Sequence, residues 1–576
     1  MILDIVKKTN YLLKLTVGRK TIILSLFLSL IIVVFELAGL AAFLPLLSLL
    51  TNVENHDMIE KNFITLFFNS LTSKVEVGLI VLITVFLIKN LITYVATRII
   101  YKIQIKFLNN LSVKIVNLYL NQDYTFFLEN NSSKLVNVCA HHAKAIKNII
   151  DSLTLLFIEI LINIIILISL IFFLGKPAIL LISFFLLFIF FYIFFIKKIF
   201  TSLGKELQIR QFKIAKILTE IFNSVKELYV YNKRDVFVKI FNLNIEKLNS
   251  NELKQSNLNF LPKFWIESLI VFSFSFLIYF YYISYGNLSG LNHLLGVFAV
   301  ATLRFVPGAN KIILLYQRIA VTRDSLNLVY FNFINLKPVK NLLIDTSRSD
   351  ILFKEILFDN ISFKYNSSQN YILKKINLKI SQGDLVGICG KSGSGKTTFI
   401  DIFLGLLKPN EGSIMINNIN PHSLQSFWKG SVGYIPQSPY MFDDSVLNNI
   451  TFFEDEKKID VKRLEKVLNL SQLNSFVENL PDGIKTIIGE KGARISGGQK
   501  QRIVIARVLY QNPQVLIFDE ATNALDSKTE IEILNSIKEL NANYKVTIIF
   551  ITHKLDLIKN FKYIYKVENG LLLNYN

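Results

Sequence analysis

The sequence predicts a helical membrane domain with six spans, followed by a soluble α/β domain. Three observations carry this fold class. The 576-residue chain has a mean hydropathy of +0.43 with only 18% charged residues, which is hard to reconcile with a purely soluble protein. Long apolar runs fill its first half, whereas acidic residues, turns and glycines gather after about residue 340. A glycine-rich loop then separates two apolar runs in the second half, as in a strand–loop–helix unit.

Apolar runs long enough to cross a bilayer, which needs about 20 residues, define the membrane domain. They lie near residues 21–50, 77–100, 150–175, 177–200, 262–285 and 289–315. A basic segment, residues 1–20, precedes them; no small-residue cleavage site follows a short apolar core, so we expect an interfacial helix. We therefore assign residues 1–335 to the membrane domain, 336–350 to a linker that contains Pro338, and 351–576 to the soluble domain.

Loop charges orient the spans. The second-to-third and fourth-to-fifth connections are rich in lysine and arginine, so the positive-inside rule places both connections and both termini in the cytoplasm. Their helical periodicity predicts helices that continue out of the membrane and turn near Asp123-Tyr124 and Glu227-Leu228, where they can touch the soluble domain. This distribution of basic residues also explains the net charge of +20, so we do not expect a nucleic-acid partner.

The glycine-rich loop has the spacing G-x-x-x-x-G-K-[ST] between a strand and a helix, which is the context expected of a phosphate-binding loop. Its backbone N–H groups would surround a β-phosphate at the positive end of the helix. Lys396 would contact the β- and γ-phosphates, and the Thr397 hydroxyl would ligate Mg²⁺. The alternative is that these are ordinary turn glycines. The candidate residues are Gly390, Lys391, Ser392, Gly393, Ser394, Gly395, Lys396, Thr397 and Thr398.

Two acidic residues, Asp519 and Glu520, end the apolar run 515–518. In the Walker B arrangement the first acid holds Mg²⁺ and the second polarises the attacking water, because phosphoryl transfer needs positioning and electrostatics. An acid pair that caps a helix is the alternative. Tyr365 ends an earlier strand and could stack on an adenine ring, although a tyrosine there can equally be plain packing.

A second anion-binding helix terminus is predicted between the phosphate loop and the acid pair. It consists of Ser496, Gly497, Gly498 and Gln499. One polypeptide thus has two phosphate-binding ends.

The motifs, in this order, resemble those of ATP-binding-cassette (ABC) proteins. Residues 495–499 resemble the signature loop, Gln437 the glutamine loop that senses Mg²⁺, Asp526 the D-loop and His553 the switch histidine, and residues 486–492 resemble a segment characteristic of exporters. The D-loop has asparagine where serine is usual, and lysine follows the histidine where arginine is common. Neither departure touches a phosphate-contacting residue. The resemblance implies an exporter-type membrane domain, a P-loop nucleotide-binding domain, and ATP and Mg²⁺ as cofactors.

In that family the signature loop of one subunit closes over ATP held by the phosphate loop of another. With one cassette and six spans, this chain resembles a half-transporter. The resemblance therefore implies a homodimer with two composite sites, each hydrolysing ATP with Glu520, Gln437 and His553.

Several charges lie within the spans, where the bilayer penalises them. The cations are Lys89, Lys263 and Arg304, and the acids are Glu36, Glu159 and Glu267. Lys263 could simply pair with Glu267 one helical turn away. The three cations also resemble the basic residues that meet the pyrophosphate in the bacterial flippase of lipid-linked oligosaccharides, with lysine for arginine at two positions. An external helix over residues 58–72 would match that group.

The resemblance implies ATP-driven flipping of a polyprenyl-diphosphate-linked oligosaccharide to the outer leaflet of a bacterial inner membrane, with membrane lipid and the anionic saccharide as partners. An exporter of peptide or of an amphiphilic lipid or drug remains an alternative. So does a module in which ATP gates a channel without active transport.

Overall fold

The computed structural model describes the backbone of residues 2–42, 74–174, 176–285, 291–336, 352–365, 368–420, 428, 430–489, 492–522 and 525–575. Side chains of residues 74–77, 173–189, 277 and 284–301 are outside the description as well. The external helix predicted over residues 58–72 and nearly all of the predicted linker 336–350 lie outside the described residues. The chain divides into two compact units, Met1–Gln122 with Glu129–Pro338, and Asp123–Leu128 with Val339–Asn576.

The first unit is helical, and its main helices are longer than a bilayer requires. The helices of the first half of the chain are α1 Ile2–Thr16, α2 Arg19–Ala41, α3 Lys74–Leu120, α4 Tyr124–Glu129, α5 Ser132–Asn137, α6 Ala143–Leu174, α7 Lys176–Asn223, α8 Val225–Val230, α9 Arg234–Tyr285 and α10 Leu291–Asn335. A single π-helical turn, Val138–His142, joins α5 to α6. Because α3, α7 and α9 have 47, 48 and 52 residues, they continue well beyond a hydrocarbon core of about 30 Å, as predicted.

Four helices in the described part of the chain are long and apolar enough to cross a membrane. They are Arg19–Ala41, Gly78–Leu120, Ser132–Phe172 and Arg234–Ile283. α7 and α10 cover the predicted fourth and sixth spans, but part of their apolar stretches lies outside the described side chains. The count of six therefore stays a prediction.

Close approaches between helices hold the membrane unit together. A Cβ on Gly308 of α10 would lie 2.4 Å from Asn163 Nδ2 of α6, and a Cβ on Gly204 of α7 would lie 2.3 Å from the Val321 carbonyl oxygen. Small residues at such crossings let helix backbones approach, which is how helices associate where lipid is as apolar as leucine. A buried apolar cluster that includes Ile162 lies among α2, α3, α6, α9 and α10.

The second unit contains two sheets. Its strands are β1 Glu355–Phe363, β2 Leu373–Ser381, β3 Leu385–Gly390, β4 Glu411–Ile416, β5 Val432–Ile435, β6 Val515–Asp519, β7 Thr547–Ile551, β8 Tyr563–Glu568 and β9 Leu571–Asn574. β2-β1-β4 form an antiparallel sheet, and β5-β6-β7-β3-β8-β9 form a sheet that is parallel except for β9. All five residues of β6 and of β7 are buried, as parallel strands covered on both faces require.

Helices cover the sheets of this unit, and two of them begin directly after the phosphate loop and the Ser496 segment. They are α11 Lys396–Phe403, α12 Val446–Thr451, α13 Val461–Leu470, α14 Asn474–Glu478, α15 Gly497–Tyr510, α16 Ser527–Tyr544 and α17 Leu555–Ile558. α11 packs on the antiparallel sheet through Phe403, whose ring stacks on Phe358 with centroids 5.8 Å apart. The parallel register brings the carboxyl ends of β5, β6, β7 and β3 to one edge, so the loops that follow them converge there.

Candidate functional site

The phosphate loop links β3 to α11 and is held in a tight curl. Gly393 and Gly395 adopt positive φ values of 77° and 105°, a conformation that glycine tolerates and other residues resist. The Lys396 Nζ donates hydrogen bonds to the carbonyl oxygens of Gly390 at 2.9 Å and Lys391 at 3.0 Å. The lysine thereby fixes the loop on the first turn of α11, and its ammonium group points into the curl.

The loop fits a phosphate group. Ser394 Oγ is buried and has no hydrogen-bond partner among the described atoms, although it lies beside the N-terminus of α11. A phosphate oxygen would satisfy that hydroxyl, and the N-terminus of a helix favours negative charge there. Thr397 is exposed in the first turn of α11, so its hydroxyl is accessible to a metal ion. Of the nine predicted loop residues, Lys391, Ser392 and Gly393 are also exposed.

Glu520 lies directly after β6 in a strained backbone conformation. Its φ is 50°, and its N–H donates to the Ile551 carbonyl oxygen of β7 at 3.0 Å. Gln437 Nε2 donates to Glu520 Oε2 at 2.9 Å, Lys396 Nζ lies 3.6 Å from Oε1, and His553 Nδ1 lies 4.0 Å from Oε2. The structure thus brings these four predicted residues together around one carboxylate.

Asp519 is the last residue of β6 and directly precedes Glu520. The Tyr434 hydroxyl donates a hydrogen bond to Asp519 Oδ2 at 3.1 Å, and burial raises the pKa of the Asp519 carboxyl. Burial and, secondarily, the charge of Asp519 also raise the pKa of Asp401, in α11, to about 6. The sequence analysis gave no role to Tyr434 or Asp401, because only the fold places them beside Asp519.

The oxygen donors at this edge suit Mg²⁺. Thr397, Gln437 and Asp519 offer a hydroxyl, an amide and a carboxylate, which are hard ligands. Within the described residues no group of three or more His, Cys, Asp or Glu side chains could hold a metal by itself. That agrees with Mg²⁺ sites in general, which use one or two carboxylates together with water and substrate phosphates. Bound there, Mg²⁺ would neutralise charge on the phosphates.

Tyr365 follows β1 and lies near the phosphate loop. Its hydroxyl is 3.3 Å from Thr398 Oγ1, and its ring contacts Phe363 edge-on at a centroid distance of 5.0 Å. The contact with Thr398 places the ring beside the loop; its stacking on adenine stays a prediction.

The second predicted anion-binding terminus opens α15 with a capping box. Gln499 N donates to Ser496 Oγ at 3.2 Å, and Ser496 N donates to Gln499 Oε1 at 2.7 Å. These described hydrogen bonds stay within the Ser496–Gln499 segment and do not reach the phosphate loop. Asp526 caps α16 by accepting from Thr529 N at 3.0 Å, which lowers the pKa of Asp526. The neighbouring D-loop positions 523 and 524 lie outside the described residues.

The membrane unit pairs each of the three predicted cations with an acid, two of them across helices. Lys89 Nζ lies 3.0 Å from Glu36 Oε2, and Arg304 Nη1 lies 3.2 Å from Glu159 Oε2. The cations and acids that the sequence placed in separate spans thus meet in the fold, and pairing with carboxylates offsets the roughly 2.5–3.5 kcal/mol that each isolated charge would cost inside a bilayer. Arg304 Nε is also 3.9 Å from Glu36 Oε2, so the two pairs form one cluster.

Lys311 joins this cluster, whereas Lys263 does not. Lys311 Nζ donates to Glu159 Oε1 at 2.8 Å, a contact that the sequence analysis missed because Lys311 lies at the cytoplasmic end of the predicted span. Lys263 is exposed on α9 and lies 4.0 Å from Glu267, the local pairing that the sequence left open.

Comparisons with known proteins agree with this architecture. Residues 22–300 match the family model of the ABC transporter transmembrane region, and residues 373–523 match that of the ABC transporter. The solved structure of a bacterial Atm1-family ABC exporter with ATP bound superposes with a TM-score of 0.78, covering 95% of this chain and 94% of the other. At 19% identity that likeness shows the fold alone.

Sequence relatives match part of the chain. The alpha-hemolysin translocation ATP-binding protein HlyB of Escherichia coli O157:H7 is 33% identical over 291 residues, 50% of this chain and 39% of HlyB. The ATP-dependent lipid A-core flippase of Wigglesworthia glossinidia brevipalpis is 38% identical over 223 residues, 38% of each chain. The chain thus spans about two fifths of the length of these curated relatives.

One family model matches residues of the first unit and the other matches residues of the second. The cassette motifs lie on the loops that converge at one edge of the parallel sheet. The chain belongs to the ABC transporters, with one exporter-type transmembrane region and one nucleotide-binding domain in the arrangement of a half-transporter.

Proposed function

We propose that two copies of this chain form an ATP-hydrolysing exporter in a bacterial inner membrane. The observation that carries the proposal is the pair of anion-binding helix ends in one domain. The phosphate loop has a buried hydroxyl without a partner, while the Ser496–Gln499 segment makes its described hydrogen bonds internally. Each copy would then complete the nucleotide site of the other.

Within each site the roles follow from the geometry. Glu520 accepts the hydrogen bond of Gln437, and its carboxylate can polarise the attacking water. Lys396 is already positioned by two carbonyl oxygens, so its charge can contact the phosphates without reorganisation. His553 Nδ1 lies 4.0 Å from Oε2 of the Glu520 carboxylate and can orient the same water or the γ-phosphate.

Mixed dimers test the composite site. Lys396→Ala and Ser496→Arg should each abolish ATP turnover as homodimers, because both sites of each homodimer lack one part. Co-expressed in equal amounts, they should recover about a quarter of the wild-type rate, since half of the dimers are mixed and each mixed dimer has one intact site. A mixture that stays inactive while both chains co-purify would show that each site is built within one chain.

For the substrate we propose a lipid with an anionic head group, namely a polyprenyl-diphosphate-linked oligosaccharide flipped from the cytoplasmic to the outer leaflet. Lys89, Arg304 and Lys311 form a cluster with two carboxylates in the membrane unit that has one positive charge in excess, and two copies of the chain would double it. Such cations suit a diphosphate. The match to a lipid A-core flippase is compatible with a lipid substrate.

Flipping of a fluorescent lipid-linked saccharide in proteoliposomes tests this substrate. Wild-type protein should translocate it with ATP, and Arg304→Gln should lose translocation while keeping basal ATP turnover. Full translocation by Arg304→Gln would contradict the proposed path.

Export of a peptide is the second candidate, favoured by the match to the alpha-hemolysin translocator. Stimulation of ATP turnover by peptides and not by lipid-linked saccharides would support it. A module that gates a channel without active transport would show no ATP-dependent accumulation of either compound.

A further inference from the structure

Five charged side chains from four helices form what we term the ion-pair network of the membrane unit: Glu36 of α2, Lys89 of α3, Glu159 of α6, and Arg304 and Lys311 of α10. Three cations share two carboxylates, so the network has one positive charge in excess. Because it connects helices that are distant in sequence, the tertiary fold assembles it.

All five residues of the network lie in predicted spans, Glu36 in 21–50, Lys89 in 77–100, Glu159 in 150–175, and Arg304 and Lys311 in 289–315. About 25 Å of helix separates Glu36 from Arg19, the basic residue at the start of α2. Similarly, about 14 Å of α3 separates Lys89 from Arg98. Both intervals are shorter than a hydrocarbon core of about 30 Å, and they place Lys89 near its middle and Glu36 toward its far side.

The two carboxylates make only loose contacts with Arg304. A guanidinium has five N–H donors that can grip a carboxylate or phosphate in bidentate fashion. Here one nitrogen lies 3.2 Å from Glu159 and another lies 3.9 Å from Glu36, so neither contact is bidentate. Glu159 Oε2 is buried and makes no hydrogen bond among the described atoms. If Arg304 only formed a structural ion pair, a bidentate contact with one carboxylate would be expected.

Lys311 extends the cationic face of α10. It follows Arg304 by two helical turns, so both side chains lie on one face of the helix. Its side chain is 46% exposed, whereas that of its partner Glu159 is 3% exposed. The Lys311 side chain is thus partly accessible at the surface of the unit, whereas the Glu159 carboxylate is buried.

We propose that Glu36 and Glu159 are built-in counter-ions that occupy the anion site of the transporter between transport events. The anionic head group of the substrate displaces them from Arg304, Lys89 and Lys311, and they re-pair with the cations after the substrate leaves. This inference rests on the proposed function and adds two competing carboxylates and Lys311 to its binding site. The network therefore sets how tightly an anionic amphiphile binds.

Direct binding tests the inference. Full-length protein in phosphatidylcholine nanodiscs is titrated with radiolabelled farnesyl diphosphate, and farnesol serves as the uncharged probe. Glu159→Gln should bind farnesyl diphosphate about tenfold more tightly than wild type, because removal of a competing charge in a low-dielectric site changes affinity strongly. The less buried Glu36→Gln should shift affinity in the same direction, and Lys311→Gln should weaken binding. Farnesol binding should not change in any variant.

A matched control comes from the same two helices. Asp151 of α6 lies 3.8 Å from Arg318 of α10, a pair outside the network with a carboxylate that is also largely buried. Asp151→Asn should leave farnesyl diphosphate binding at the wild-type value. Unchanged or weaker binding in both glutamate variants, or an equal gain in Asp151→Asn, would overturn the inference.

Failure of the proposed function looks different. If wild-type protein bound farnesyl diphosphate no better than farnesol, the anionic-lipid substrate and the inference built on it would both be rejected. If wild type preferred the diphosphate and Arg304→Gln lost that preference while the glutamate variants behaved as wild type, only the counter-ion role would be rejected.

Discussion

Replacement of Glu520 by glutamine should remove ATP turnover without unfolding the nucleotide-binding domain. The substitution keeps the shape of the side chain and removes its negative charge. The Gln437 amide donates to Glu520 Oε2 at 2.9 Å, and the new amide oxygen can accept the same hydrogen bond. Lys396 loses one partner at 3.6 Å but keeps its bonds to the Gly390 and Lys391 carbonyl oxygens.

The magnitude follows from these contacts. Loss of a positioned general base costs about 10²–10⁴ in rate, which is about 3–5 kcal/mol of transition-state stabilisation. The free energy of unfolding should change by less than about 1 kcal/mol, because no buried group loses its only hydrogen bond. ATP should still bind, since the residues of the phosphate loop are unchanged.

Phosphate release by full-length protein in lipid measures the effect, with nucleotide binding and thermal unfolding recorded on the same samples. Asp384→Asn is the control, because Asp384 is a buried carboxylate at the opposite end of β3 that accepts a hydrogen bond from Ser381 N. A Glu520→Gln variant that kept turnover within about tenfold of wild type would refute the assigned base. Equal losses in both variants would show a structural effect.

Three further substitutions test packing and electrostatics. Gly308→Ala should lower the free energy of unfolding by about 1–3 kcal/mol, because its Cβ would lie 2.4 Å from Asn163 Nδ2; unchanged thermal stability in detergent would contradict that crossing. The pKa of Asp401 is raised to about 6 from an ordinary 3.8, so the folded state binds more protons between these values and stability falls as pH rises through them. Asp401→Asn should therefore stabilise the Mg²⁺-free protein by up to about 3 kcal/mol at pH 8 and have little effect at pH 4, and equal effects in denaturant titrations at both values would refute it. Asn449→Ala should lower the free energy of unfolding by about 2–4 kcal/mol. The fully buried Asn449 side-chain amide accepts a hydrogen bond from Arg507 and bonds the backbone at Phe442 and Ser445. Circular dichroism melts would measure this loss, and a change below about 1 kcal/mol would contradict the prediction.

Local pattern was sufficient to predict the cassette motifs. The phosphate loop, the acids after β6 and the helix terminus at Ser496 each depend on residues within about ten positions of one another, and their chemistry is set by backbone geometry at a strand end or helix start. The convergence of Gln437, Glu520 and His553 could also be expected, because parallel strands deliver their carboxyl ends to one edge. The predicted turn near Asp123 is confirmed, since α3 ends at residue 120; α7 ends at residue 223, close to the second predicted turn, but Glu227 and Leu228 themselves lie in the short helix α8.

What the sequence by itself determined is the main elements and the candidate nucleotide-binding residues, since apolar length, helix period and glycine spacing are local properties of the chain. Only the tertiary structure decided which charges meet. Tyr434 and Asp401 lie beside Asp519 because separate elements pack there, and Lys89 and Arg304 are paired because α2 and α6 bring Glu36 and Glu159 to them. Charge interactions depend on distance in space and on the local dielectric, and neither quantity can be obtained from separation along the chain.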